Sequence, residues 1–160
     1  MTAEIRITSR TLPRLRRRIA GMRERAADLM PAWDAVADWF AEQERAQFST
    51  EGTRWGQPWA PLKPATIAEK QRLHYPPNIL VRTGELERSL TVRPLSIERL
   101  SPRHMMLGTR VPYAQFHQRG TPTIPRRALL DSGPIAREGA IGSAVASWIF
   151  QGKPRIRGPR

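Results

Sequence analysis

The residue types that can move protons or hold metals are few in this chain and widely scattered. Its three histidines, His74, His104 and His117, lie too far apart for two of them to share a helix face at a four-residue step, so no zinc site is expected. Cysteine is absent, which removes disulfides, thiolate nucleophiles and cysteine-ligated metals. Glu85 and Glu87 stand two apart near a short predicted helix; their side chains diverge and cannot share a proton or a cation. His117, beside Gln118 and close to Tyr113, is the one candidate general base. The simpler reading of it is a histidine hydrogen-bonded at a helix end or an interface. Phosphate-cradling GxxxxGK(S/T), dinucleotide GxGxxG, HExxH and GxSxG patterns are all missing. The chain therefore reads as a non-enzyme with no catalytic residues, no cofactor and no metal. Trp55 and Trp59 could stack on bases as in single-strand binders, but both sit in one Pro/Gly-rich loop, where packing that pins the loop is the better reading.

The elements that position these residues can be drawn from periodicity. Glu4 to Thr8 alternates apolar and polar residues and predicts a short strand. From Thr11, a candidate N-cap, the pattern turns helical, with Leu12, Leu15, Ile19, Met22 and Ala26 in one apolar stripe and arginines mainly on the other faces. Pro31 suits the first turn of a second helix, which runs to about Phe48 with Trp33, Val36, Ala37, Phe40 and Ala41 facing inward. Ser49 to Pro64 carries three Pro, two Gly and two Trp and is read as an irregular loop held down by its tryptophans. A short helix from Ala65 to about Leu73 precedes a break at Pro76–Pro77. Another opens at Thr83-Gly84-Glu85-Leu86, with Thr83 as cap and Gly84 where the backbone turns. Thr91 to Arg99 and Arg103 to Arg110 are read as antiparallel strands, with Gly108 marking a bulge or a close backbone approach. Pro112 to Arg119 forms a helix ended by Gly120, Arg126 to Leu130 is strand or turn, and Ile135 to Phe150 is a last helix. That helix is Ala- and Gly-rich on one side, with Ile141, Val145, Trp148 and Ile149 on the other.

These elements make an α+β domain: a small antiparallel sheet with several helices packed on it. The expected division is an N-terminal arm or short strand over 1–10, one domain over 11–150, and an extended, flexible basic arm over 151–160. The length of 160 residues suits one domain, and 39% hydrophobic residues with 15 Pro and 11 Gly suit loosely packed ends. No apolar run reaches the length of a membrane span and Met1 to Arg10 lacks a secretion-signal core, so the expectation is a soluble protein without a membrane partner. Charge is the strongest compositional signal: 27 Lys+Arg against 14 Asp+Glu, formally +13. Such a field draws nucleic acid, anionic membranes or acidic proteins. Arginine supplies nearly all of it, a bias that GC-rich coding also produces.

Several segments together resemble a known family. Phe48, Trp55-Gly56, Trp59, Leu62, Thr66 and Lys70 are followed by Leu80-Val81-Arg82-Thr83-Gly84-Glu85-Leu86-Glu87-Arg88-Ser89. Then come Leu107-Gly108-Thr109, Val111-Pro112-Tyr113-Ala114, Phe116-His117-Gln118, Gly120 and Ile124-Pro125-Arg126-Arg127. In this order the pieces resemble the phage virion-morphogenesis family over roughly Phe48 to Leu130. Two departures stand out: Arg126 occupies a position that is commonly small, and Ala128-Leu129 stands where Pro-Phe is frequent.

The resemblance implies a structural protein of a long-tailed bacteriophage, acting in tail completion and head–tail joining. Such proteins commonly form rings at the head-proximal end of the tail, in the virion neck, with DNA passing through the lumen. The partners implied are further copies of the chain, neighbouring connector, terminator or tail-tube proteins, and weak contact with channel DNA. Trp55, Gly56, Trp59, Leu62, Thr83, Gly84, Leu86, Ser89, Gly108 and Thr109 are the motif residues expected to maintain the fold, as is Leu80. Tyr113, His117, Gln118 and Arg127, with Lys153, Arg155, Arg157 and Arg160 of the C-terminal arm, are the expected interface residues. The competing reading is a basic nucleic-acid-binding accessory protein, whose affinity would fall steeply with salt.

Overall fold

A computed structural model describes residues 11–130 and 139–157. The predicted strand Glu4–Thr8 and the first residues of the predicted last helix lie outside them. Helix α1 spans Thr11–Ala27, α2 Met30–Ser49, α3 Pro64–Arg72, α4 Glu85–Thr91, α5 Ala114–Arg119 and α6 Ala140–Gln151. Strands β1 (Ile97–Ser101) and β2 (His104–Leu107) pair antiparallel, which completes an α+β fold.

Helix α2 is the organising element, and its sequence shows why. Ala32, Val36, Ala37, Phe40, Ala41 and Phe48 recur at three- and four-residue steps and are buried. Pro31 lies in the first turn, where no N–H is needed, and Asp28 Oδ1 accepts the Met30 N–H at 3.0 Å. The helix packs against α4 and α6. The core joins Phe40 and Phe48 of α2 to Trp59, Ile79, Leu86, Leu90, Ala114 and Leu129, and thus draws on almost every segment from 40 to 130.

Two polar residues share this buried face. Gln47 is fully used: its Oε1 accepts the Trp55 N–H and its Nε2 donates to the Ala128 carbonyl. Glu44 is not. Its Oε1 takes a long bond from Trp55 Nε1 at 3.4 Å, its Oε2 has no partner among the described residues, and burial pushes its carboxyl up to about 8.

The expected small antiparallel sheet is, among the described residues, a two-stranded hairpin, and the core gathers around α2. One expectation about the strands needs correction: the first does not start at Thr91. That residue closes α4, its hydroxyl bonded to the Glu87 carbonyl, because Leu86 and Leu90 hold the helix to the core; Pro94 then delays the strand to Ile97. In α6 the small residues Ala140 and Ala144 are the fully buried ones, while Ile141 is exposed and Trp148 half-buried. Small side chains let α6 approach α2 closely.

Helix α1 is clamped at its C-terminal end. Arg25 Nε donates to the Ile149 carbonyl, Trp148 Nε1 to the carbonyls of Arg25 and Asp28, and Leu29 N–H to Pro102 of the hairpin turn. The expected free arm over 151–160 begins as structure. Gln151 belongs to α6, Gly152 caps it with φ of 71°, and the N–H groups of Arg155 and Arg157 donate to the hydroxyls of Ser147 and Ser143. Two serines on one helix face supply bonds that composition did not foretell.

Candidate functional site

The loop after α2 is held by residues placed for that purpose. Gly52 (φ 99°) and Gly56 (φ 89°) turn the backbone through the left-handed region, and Trp55 and Trp59 are both buried. Trp59 meets Phe48 edge-on, with ring centroids 5.3 Å apart, and its Nε1 donates to the Ala128 carbonyl at 2.9 Å. The loop is thereby strapped to the irregular segment 126–130. Two further side chains complete the strap. Arg127 Nε and Nη2 donate to the carbonyls of Ala60 and Pro61, and Gln118 Oε1 accepts the N–H groups of Leu129 and Leu130.

A second organiser is Lys70. Its ammonium donates to the carbonyls of Pro76, Asn78 and Val81 at 2.8, 2.7 and 2.6 Å, one bond for each hydrogen. These bonds shape the turn between α3 and the segment 79–84, in which Leu80 takes a φ of 60°. Desolvation lowers the Lys70 pKa, Glu51 partly opposes that, and Arg82 adds to it.

Between α3, the segment 80–86, α5 and Arg127 lies an open cleft of about 540 Å³. All but one of its lining residues, Tyr75, belong to the short motifs singled out from the sequence. Segments far apart in the chain, Leu62 to Lys70, Leu80 to Leu86, Tyr113 with His117, and Arg127, thus converge on one hollow. Gly84 caps α4 with φ of 75°, and no side chain caps that helix, so the capping role expected of Thr83 falls to the glycine backbone. At the rim the Tyr113 hydroxyl donates to Glu85 at 3.3 Å and its ring meets His117 edge-on. Burial, then the charge of Arg127, lowers the pKa of His117, whose Nδ1 is buried without a hydrogen-bond partner among the described residues. Among the described residues no cluster of His, Asp and Glu could hold a metal.

The far wall of α4 is tied to the hairpin. Ser89 Oγ and Thr109 Oγ1 lie 2.6 Å apart, and Gly108 N–H donates to the Ser96 carbonyl. The β1 register shifts between Ile97 and Arg99, and a Cβ on Gly108 would stand 2.6 Å from Glu98 Oε1. Gly108 is thus a close approach beside a bulge.

With this geometry in place, comparison with known proteins is decisive for the family. The model of the phage virion morphogenesis family matches residues 10–146. The chain belongs to that family. Its role is therefore in building a phage virion, and the match reaches beyond the segment 48–130 into α1 and α6. No curated protein and no solved structure matches it significantly. Within this family member, the residues expected at interfaces divide. Tyr113 is 40% exposed, whereas Gln118 and Arg127 hold segment 126–130 from within and His117 is half-buried. Arg127, at 7% exposure, is a structural residue. Lys153, Arg155 and Arg157 are exposed beside α6, and Arg160 lies outside the described residues. Lys70, Gln47 and Glu44 were not singled out for these roles, although Lys70 was already part of the motif.

Proposed function

We propose that this protein completes the phage tail and joins it to the head, acting without catalysis as a ring subunit in the neck around the DNA channel. The observation that carries this reading is the location of its exposed apolar residues. Val92, Leu95, Met106, Tyr113 and Phe116 are each two-fifths exposed or more on the α4–hairpin–α5 side. Three clefts adjoin there: the first and second share Glu85, and the second and third share Arg110, Val111 and Pro112. Large apolar side chains gathered beside clefts are a surface made to be covered. A formal charge of +13 favours acidic neighbours or proximity to DNA, in keeping with a subunit of a DNA conduit. The motif residues give that surface a rigid backing rather than a reacting centre.

Deleting the gene from its phage and counting assembly products by electron microscopy tests the proposal. The expected result is filled heads and full-length tails that stay separate, rejoined when the protein is supplied. Normal particles, or heads that never fill, would overturn it.

A further inference from the structure

Among the described residues, nothing covers the apolar stripe Leu12–Leu15–Ile19 of α1. Every residue from Thr11 to Ala20 is exposed, and Leu12, Leu15 and Ile19 keep 46%, 50% and 49% of their surface open to solvent. These three form one stripe at three- and four-residue steps. At 100° per residue, Arg16 and Arg23 flank the stripe on one side and Arg14, Arg18 and Arg25 on the other, while Arg17 lies opposite it. The helix from 11 to 27 holds six arginines and one acid, Glu24. Its last turns are fastened, through Arg25, to α6.

We infer that this half-helix is a docking arm that inserts into an apolar groove rimmed by Asp and Glu on a different virion protein. Charge decides among occupants. A second copy of α1 would set arginines against arginines. Duplex DNA would satisfy the arginines but leave the Leu12–Leu15–Ile19 stripe in water. A groove that is apolar at its floor and acidic at its rim satisfies both features together, which is how amphipathic helices are commonly bound. The inference needs only that the protein enters the virion, not that it sits in the neck. A partner elsewhere in the particle would therefore spare this inference and sink the proposed location.

The test places a photo-cross-linking amino acid at Leu15, or at Arg17 as the opposite-face control, in the full-length protein supplied to the deletion phage. Irradiated particles should give a cross-link from position 15 and not 17, mapped to an apolar segment of another virion protein with Asp or Glu beside it. Arg14, Arg16 and Arg18 all changed to Glu should abolish it. A cross-link to another copy of this chain, to DNA, to lipid, or to nothing overturns the inference. A second variant, Leu12→Ser with Leu15→Ser and Ile19→Ser, should melt like the parent yet enter particles about a hundredfold less, as expected for losing the burial of three half-exposed aliphatic side chains. If it instead unfolds, the stripe is covered by its own chain and the docking arm is refuted.

Discussion

Gly52→Ala is the substitution whose cost can be worked most directly from the structure. An added Cβ would stand 2.6 Å from the Gln57 carbonyl oxygen, 2.6 Å from Trp59 Cδ1 and 2.8 Å from the Trp59 nitrogen. Two of these are backbone atoms and the third belongs to a ring locked against Phe48, so none can swing aside. Gly56→Ala is the matched control, because its φ of 89° is similar and its Cβ would meet nothing within 4 Å. Both variants pay a left-handed backbone penalty of about 1–2 kcal/mol. Both regain roughly 0.4–1 kcal/mol from the stiffer unfolded chain. Only Gly52→Ala adds overpacking of about 1–3 kcal/mol. The net expectations are about 1 kcal/mol for Gly56→Ala and about 2–4 kcal/mol for Gly52→Ala, or roughly 2–4 °C and 5–15 °C in melting temperature for a domain of this size. Thermal and urea unfolding of the purified variants reads both. If the two melt together, the steric reasoning about the tryptophan loop is wrong.

Other consequences follow from buried polar groups. Glu44 has a folded-state pKa of about 8 against an ordinary 4.5, so the folded protein keeps a proton that the unfolded chain releases. Its contribution is fully present below pH 4.5 and is lost as pH rises through 8, in total roughly 5 kcal/mol. Glu44→Gln should remove that dependence and gain about 2–3 kcal/mol near neutral pH; parallel stability curves for parent and variant would contradict it. Arg127→Lys cannot span the Ala60 and Pro61 carbonyls with a planar fork, and should lose about 2–3 kcal/mol in urea unfolding. An unchanged midpoint would show those bonds to be incidental. Lys70→Met leaves three carbonyls without their shared donor; faster amide exchange across residues 76–81, with slow exchange kept in α2, is the expected result. Uniform loosening of the whole chain would refute that local role.

Much of this architecture was legible in the sequence because strong local signals agreed with the final packing. The stripe of α2, Pro31 in its first turn, the Trp55–Trp59 loop and the Gly120 helix stop all follow from periodicity, proline geometry and turn chemistry. What was missed lies where tertiary contacts override local preference. The β-branched pair Thr91–Val92 looked like strand, yet burial of Leu90 holds the last turn of α4. The two faces of α6 were legible, but not which of them packs: Ala140 and Ala144 are the fully buried pair. Glu44 could have been found, since it sits one helical turn from both Phe40 and Phe48 on a buried face. The motif cleft could not, because four short segments meet there only after folding. Arg127 illustrates the same point: an arginine that reads as an interface residue is buried because backbone carbonyls from another loop meet it.

The most direct test of the central claim is a cryo-electron microscopy reconstruction of the neck of the intact virion. The expected density is a closed ring of this protein between head and tail tube, with the Val92–Leu95–Tyr113–Phe116 side covered by neighbouring subunits. Density for the protein at another position in the particle, or its absence from finished virions, would contradict it.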